Sequence, residues 1–471
     1  MIDINKNTND KWMGHTRHIH FVGIGGAGMS GIAEVLCDLG YRVTGSDVTN
    51  STIVQRLCKL GIPVGIGHAR QNINGADVVV VSSAIRDDNE EVIHAYQQHI
   101  PVIPRAEMLA ELMRFRHGIA VAGTHGKTTV TSLIASLLTE AGLDPTFIIG
   151  GRLNHANTHA HLGLGDYLVA EADESDKSFL YLNPVMAVVT NVDADHMDTY
   201  DGDLNCLRET FVTFLRRLPF YGLAVVCIDD PTVNDLLGKI SRPVVTFGFH
   251  SDADFRASRL QQDGVYTTFR VFRPAGKPSL NITLNLPGKH NALNALAAIV
   301  VSDKLGVSDG IIKRGLADFQ GIARRFQVFG DVLIGRSRVL IIDDYGHHPN
   351  EIAVTLDAIR AGWPTRRLIV AFQPHRYTRT RDLFNDFVHV LSKSDVLLLL
   401  DIFPAGESPS PGITGRGLYQ AIYDFGHLKP LFVKNVSGLV DTLPNVVKDG
   451  DIVLTLGAGN IGAAPSRLVS S

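Results

Sequence analysis

The 471 residues carry 44 Lys and Arg against 48 Asp and Glu, for a formal net charge of −4, and 45% of them are hydrophobic. A chain of this length and composition can build about three domains with ordinary cores. It has no basic excess that would point to nucleic acid, and no apolar run near the roughly 20 residues of a membrane helix. Cys37, Cys58, Cys206 and Cys227 show no C-x-x-C spacing and read as free thiols of a reducing compartment. Met1–Lys11 is polar and lacks the apolar core of a signal peptide, so a cytoplasmic location is expected.

Strands alternate with helices through most of the chain. A strand is predicted over His18–Val22, a helix over Gly31–Leu39, and strands over Arg42–Thr44 and Val78–Ser82. The last is nearly continuous apolar sequence, as expected where helices cover both faces of a parallel sheet. Gly23-Ile24-Gly25-Gly26-Ala27-Gly28 fits G-x-G-x-x-G between strand and helix, with Asp47 following at the end of the next strand. That spacing is a dinucleotide signature, so an NAD-dependent dehydrogenase is one reading. Its physical content is narrower: a tight turn and a helix N-terminus that accept a pyrophosphate, which a UDP-sugar also carries.

A connecting helix is predicted over Glu107–Met113. The apolar run Ile119–Ala122 then leads into Gly123-Thr124-His125-Gly126-Lys127-Thr128-Thr129. Glycines free backbone N–H groups for an anion, Lys127 supplies charge, and Thr128 can join a Mg²⁺ shell, which is the chemistry of an ATP phosphate loop. The match to G-x-x-x-x-G-K-[ST] is incomplete, because Val121 stands where the first glycine is required. The context supplies what the string lacks. Val130, Leu133, Ile134, Leu137, Leu138 and Ala141 form a one-sided helical stripe that Gly142 ends.

Further strands are predicted over Tyr167–Ala170, Val185–Thr190 and Ala224–Ile228. The first runs into Glu171-Ala172-Asp173-Glu174-Ser175-Asp176 and the second into Asn191-Val192-Asp193-Ala194-Asp195-His196, so Glu171 and His196 can converge on the phosphate loop as Mg²⁺ ligands. His155, His159 and His161 have metal-like spacing, but their Gly-flanked segment reads as a solvated loop. Residues 252–285 suggest an antiparallel insertion, and a helix over His290–Leu305 closes the region. A third α/β unit starts near Arg324-Arg325, with strands over Val339–Ile342, Arg367–Ala371, Val396–Leu400 and Ile452–Leu456. Asp343-Asp344-Tyr345-Gly346-His347-His348-Pro349 and Gln373-Pro374-His375-Arg376-Tyr377-Thr378-Arg379 follow two of these strands, a set suited to a carboxylate-bearing substrate. Gly457-Ala458-Gly459-Asn460-Ile461-Gly462 repeats the glycine fingerprint and reads equally as a phosphate turn or a close helix–strand turn. Three consecutive α/β domains are therefore expected: a Rossmann-like one over 1–107, a P-loop ATPase-like one over 108–322, and a second Rossmann-like one over 323–471.

Five strings, at 23–34, 123–129, 171–176, 195–198 and 343–349, resemble the Mur ligase family in the right order and over nearly the whole chain. Within it they are most similar to the alanine-adding type. The resemblance implies a peptidoglycan-precursor ligase joining L-alanine to UDP-N-acetylmuramate, with ATP split and an acyl phosphate formed on the way. A recycling ligase that adds a preformed peptide is the alternative within the family. By resemblance, Gly23, Gly25, Gly26, Ala27, Gly28, Asp47, His68, Ser82 and Ser83 hold the UDP-sugar. Gly123, Thr124, His125, Gly126, Lys127, Thr128, Thr129, His290, Asn291, Asn294 and Arg324 hold ATP, with Arg324 reaching in from the hinge. Lys127, Glu171 and His196 are the catalytic set, and Thr128, Glu171 and His196 surround two Mg²⁺ ions. Tyr345, His347, His375, Arg376 and Arg379 lie near the amino acid. A monomer or homodimer is implied, without nucleic acid or membrane. Sister ligases carry a carbamylated lysine shortly after the Asp-His string; Leu204–Leu218 contains no lysine, which fits the alanine-adding type. Lys177 stands where a small residue is expected.

Overall fold

The computed structural model describes residues 13–154, 158–274, 276–426 and 428–470. Met1–Lys11 and His155, both weighed above, lie outside them. Among the described residues the strands form three sheets.

The first sheet contains β1 (His18–Val22), β2 (Arg42–Asp47), β3 (Val64–Ile66), β4 (Val78–Val81) and β5 (Val102–Pro104) in the order β3-β2-β1-β4-β5, all parallel. The order reverses between β1 and β4, which opens a crevice beyond their carboxyl ends. The helix expected from Gly31 already begins at Ala27, directly after the glycine turn, and runs to Asp38. Gly31 lies against Ile148 and Ala160, where a Cβ would come within 3.2 and 3.3 Å, so this helix packs closely on the second sheet.

The second sheet comprises β6 (His117–Ala122), β7 (Thr146–Leu153), β8 (Thr158–His161), β9 (Tyr167–Glu171), β10 (Met186–Val189), β11 (Leu223–Cys227), β12 (Val244–Gly248), β13 (Phe255–Asp263), β14 (Tyr266–Phe272) and β15 (Leu280–Leu284). Its order is β15-β14-β13-β12-β11-β10-β6-β9-β7-β8. The antiparallel stretch expected as an insertion is instead a meander, β13 to β15, that extends the sheet itself. The predicted histidine loop is also corrected: His159 and His161 sit on β8, paired antiparallel to β7, and His161 Nε2 lies 3.0 Å from Asp144 Oδ1. Helices Lys127–Glu140 and Lys289–Lys304 cover one face, burying Val130, Leu133, Leu137 and Ile299 with Ile119 and Val169. On the other face Phe179 packs between Phe211 and Phe214 of helix Leu204–Arg216, at ring centroid separations of 5.2 and 4.8 Å.

The third sheet contains β16 (Gln327–Ile334), β17 (Ser337–Asp344), β18 (Leu368–Phe372), β19 (Val396–Leu400), β20 (Leu431–Val433) and β21 (Ile452–Leu456), ordered β16-β17-β21-β18-β19-β20, with only β16 antiparallel to its neighbour. The chain enters it through a bent linker. Ile322 bridges Leu153 of β7, and Arg324 and Phe326 adopt φ of 61° and 46°. No helix among the described residues is long and apolar enough to cross a membrane.

Candidate active site

The phosphate loop is the turn between β6 and helix Lys127–Glu140. Gly123 and Gly126 adopt φ of 129° and 85°, in the region only glycine enters freely. Neither tolerates a side chain: a Cβ on Gly123 would lie 2.1 Å from Thr190 Oγ1, and one on Gly126 2.6 Å from Asn294 Oδ1. The residues after β10 hold the loop from below. Thr190 Oγ1 donates to the His125 carbonyl at 2.7 Å, Asn191 Oδ1 accepts from His125 N at 2.8 Å, and Asp193 N donates to Thr124 Oγ1 at 2.9 Å. Lys127 folds back over the loop. Its Nζ donates to Gly123 O at 2.6 Å, Thr124 O at 3.1 Å and Glu174 Oε1 at 2.8 Å. Burial works against this ammonium, but Glu174, Asp173 and Glu171 outweigh it and hold its pKa above the ordinary value. Glu174, buried beside it, is pushed up to about 7 by desolvation despite the pairing.

Glu171 ends β9, and its Oε1 accepts from Gly150 N at 2.7 Å. Thr128 packs against the next residue, since a Cβ on Gly151 would come 2.8 Å from Thr128 Cγ2. The two therefore flank the same Gly150-Gly151 step of β7. His196 sits at φ 55°, and burial lowers its pKa, only partly countered by Asp195, which favours the neutral imidazole. A hydroxyl, a carboxylate and a neutral imidazole fit a Mg²⁺ ion shared with phosphate oxygens. Glu174 Oε2, buried beside Lys127, has no hydrogen-bond partner among the described residues, an oxygen that a water of such an ion's shell could satisfy. Lys177, where a small residue was expected, adopts φ 59° and places Nζ 5.0 Å from the Tyr200 ring centre, while the Tyr200 hydroxyl donates to Glu174 O at 2.5 Å.

Above the loop is a pocket lined by His290, Asn291, Asn294, Phe247, Arg325 and Phe326, among others. Burial pushes His290 down to about 4, so it faces the pocket uncharged. Asn294 Nδ2 donates to Asn291 Oδ1 at 3.2 Å, and Asn291 Nδ2 to Pro287 O at 2.8 Å. Arg324 does not line this pocket; its neighbour Arg325 does. Arg324 Nε donates to Asp343 Oδ2 at 3.0 Å and its Nη groups to Gly457 O and Gly459 O. Its guanidinium also fills the second glycine turn, where a Cβ on Gly462 would come within 2.3 Å of Cζ. Of the two readings of that turn, the structure has the close-packed one.

The third domain seals the pocket with the N-terminus of helix Pro349–Gly362. His125 bridges the domains, Nε2 lying 3.4 Å from Asp193 Oδ2 and Nδ1 3.4 Å from Glu351 Oε1, while Asn350 Nδ2 donates to Asp193 Oδ2 at 2.5 Å. Burial opposes a charge on His125, but its bonds to Asp193 and Glu351 lift its pKa to about 9. His125, Asp193 and His348 are close enough to chelate an ion. With both ring nitrogens facing carboxylates, however, His125 is an imidazolium with no lone pair to give. This cluster was missed in the sequence, where its only trace was Glu351 three residues after His348, the spacing of a capping box.

On the third domain's edge, His347 lies 5.4 Å from Tyr345 and 5.8 Å from His375, centre to centre. Burial pushes both histidines down to about 4. Arg379 reaches toward Asp195 at 3.9 Å, and Arg376 is exposed at the start of helix Tyr377–Asp382. In the first domain, Gly23 turns at φ 79° after β1, and Asp47 braces the loop by accepting from Gly25 N at 2.9 Å. Ala27 opens the helix that follows Gly26. Ser82 directly follows β4, half-buried beside exposed Ser83. His68 is held by Ser46 Oγ at 3.0 Å, within a network around buried Glu91. That carboxylate accepts from Ser46 Oγ at 2.6 Å, Asn72 Nδ2 at 2.5 Å and Ala69 N at 3.1 Å, with His20 and His68 each 3.5 Å away.

Three family profiles match the chain in order: Mur ligase family, catalytic domain, over 18–117; Mur ligase middle domain over 121–302; and Mur ligase, glutamate ligase domain, over 324–459. The chain is 57% identical over 455 residues to the UDP-N-acetylmuramate--L-alanine ligase of Halorhodospira halophila, spanning 97% of this chain and 93% of that protein. It is similar to the crystal structure of UDP-N-acetylmuramate-alanine ligase MurC from Thermotoga maritima, with TM-score 0.82, 29% identity and coverage of 97% and 99% of the two chains. A murein peptide ligase from Psychrobacter arcticus also matches, with TM-score 0.70, 25% identity and coverage of 96% and 98%. This chain belongs to the Mur ligase family.

Proposed function

We infer that the chain joins L-alanine to the lactyl carboxylate of UDP-N-acetylmuramate and splits ATP to ADP and phosphate. The observation that carries this is a glycine-lysine loop whose Lys127 has Glu171 and His196 near enough to act on its charge, beneath a third domain whose Arg379 reaches to 3.9 Å from Asp195 beside His196. Whole-length identity to an alanine-adding ligase favours this over the dehydrogenase reading. Among substrates it favours alanine over a preformed peptide; rates with L-alanine and with a tripeptide separate the two.

In this reading the divisions fall near residues 107 and 322. The first domain takes the UDP-sugar at Gly23–Gly28, Asp47, His68, Ser82 and Ser83, a choice supported by their position at the carboxyl ends of β1, β2, β3 and β4. The central domain takes ATP. The lactyl carboxylate attacks the γ-phosphorus, ADP leaves, and an acyl phosphate forms; the alanine amine then attacks the acyl carbon and phosphate leaves. Two anions must meet in the first step, and Lys127 lowers their repulsion. Thr128, Glu171 and His196 would hold Mg²⁺, which would neutralise charge on the phosphate oxygens. Neutral His290 and the paired Asn291 and Asn294 suit an uncharged base. Arg376 and Arg379 suit the alanine carboxylate, and Tyr345, His347 and His375 wall that space, excluding water from the acyl phosphate. A cytoplasmic location is part of the reading.

The test is phosphate release from ATP, which should require both UDP-N-acetylmuramate and L-alanine. Lys127→Ala should abolish it while the UDP-sugar still binds. Release independent of either co-substrate, or normal turnover by Lys127→Ala, would defeat the reading.

A further inference from the structure

We propose that Arg105 grips the diphosphate of the nucleotide-sugar substrate; this rests on the function inferred above. Arg105 opens helix Arg105–Met113 directly after β5, on the carboxyl edge of the first sheet. Its guanidinium lies over the glycine turn, so that a Cβ on Gly28 would come within 2.9 Å of Nη1 and 3.2 Å of Cδ. Gly28 is in the first turn of helix Ala27–Asp38, whose N-terminal N–H groups face the crevice where an anion binds. The last glycine of the fingerprint thus makes room for a cation as well as for a phosphate.

The other side of Arg105 faces the central domain. Nη2 stands 3.5 Å from Asp173 Oδ2, at the limit of a hydrogen bond, and this is the only hydrogen bond of the Arg105 side chain among the described residues. A guanidinium has five N–H donors in a planar fork. One long contact to a half-exposed carboxylate leaves most of them for a ligand, and the side chain keeps 20% exposure. Asp173 in turn belongs to the acidic group around Lys127. Arg105 therefore stands between the turn that seats the diphosphate and the loop that seats the reacting phosphate. A substrate running from one to the other must pass it. Phosphate oxygens match the fork bidentately and carry more charge than the single carboxylate now beside it.

The experiment compares wild type, Arg105→Ala, Arg105→Lys and Asp173→Asn. Affinities for UDP and for uridine are measured by calorimetry, together with KM and kcat for each substrate. Arg105→Ala should weaken UDP and raise KM for UDP-N-acetylmuramate about ten- to hundred-fold, with uridine affinity and KM for ATP within twofold. Arg105→Lys should recover part of the loss, since it keeps the charge and loses the fork. Asp173→Asn should leave UDP affinity within threefold. Unchanged UDP affinity in Arg105→Ala overturns the proposal. In that case a raised KM for the full substrate assigns the residue to the lactyl carboxylate, and an unchanged KM makes it a tie between domains. Loss of UDP affinity in Asp173→Asn equal to that in Arg105→Ala overturns it too. If wild type binds UDP but forms no product with L-alanine, the inferred function fails while the UDP measurements still judge Arg105.

Discussion

Glu91 offers a direct test of how the first domain is held together. It is fully buried, and its carboxylate is the hub that joins β1 through His20, β2 through Ser46, and the following loop through His68, Ala69 and Asn72. Burial alone would raise its pKa; the nearby His20 ring and the hydrogen bonds from Ser46, Asn72 and Ala69 outweigh this and bring it from 4.5 to about 2. Each pKa unit is worth about 1.4 kcal/mol, so the ionised carboxylate contributes about 3 kcal/mol to the folded first domain. The folded-state pKa is depressed, so this contribution is present above pH 4.5 and is lost as pH falls towards 2. Glu91→Gln keeps the shape, removes the charge, and places an amide N–H₂ among groups arranged to donate. Hydrogen exchange read on peptides covering β1 and β2 should show protection reduced about a hundred-fold at pH 7, in line with that free energy. At pH 3 the gap between variant and wild type should narrow. A variant within threefold of wild type at pH 7, or a gap of equal size at both pH values, would refute the argument.

Three further outcomes are expected. Gly123→Ala should lose phosphate release and several degrees of melting temperature, because φ 129° and the 2.1 Å approach to Thr190 Oγ1 leave no room for a methyl group; near-normal turnover would contradict this. The cross-domain contact of His125 should depend on pH. Its folded pKa of about 9 lies above 6.5, so its contribution is complete below pH 6.5 and is lost as pH rises through 9. Small-angle scattering should show the wild type expanding between pH 7 and 10, with His125→Gln expanded throughout; a flat wild-type profile speaks against the bridge. Phe179→Ala should cost about 3–5 kcal/mol in urea unfolding, since its ring fills the space between Phe211 and Phe214; a loss under 1 kcal/mol would show that this layer collapses easily.

The parallel architecture was legible because its strands are apolar runs that end in glycines or acids. That is why β6, β9 and β10 could be read as delivering the Lys127 loop, Glu171 and His196 to one edge. Strands β3 and β5 were not legible: each is three residues long, and Gly65 and Pro104 obscure their pattern. Strand β8 was hidden by histidines that read as loop. Side-chain direction was beyond the sequence altogether. Arg324 and Arg325 are neighbours of one residue type, and the left-handed backbone at Arg324 decides which of them turns into the third domain and which meets the pocket. Arg105 escaped notice because its meaning lies in approach to Gly28 and Asp173, which are distant in sequence. The same holds for Glu91, an acid in a helix's first turn that reads as a solvated cap.

The three hydrogen bonds of Lys127 have a consequence for selectivity. An ammonium has three protons, and here each already has an oxygen to point at. A newcomer must therefore outcompete the Glu174 carboxylate before it gains anything from the charge. That contest disfavours weak, singly charged anions and favours a polyphosphate chain, which brings several negative oxygens at once. Glu174, whose pKa near 7 lets it take up a proton, can step aside as a neutral acid when that happens. If the loop seats the nucleotide as proposed, its resting partner acts as a threshold that disfavours small singly charged anions there.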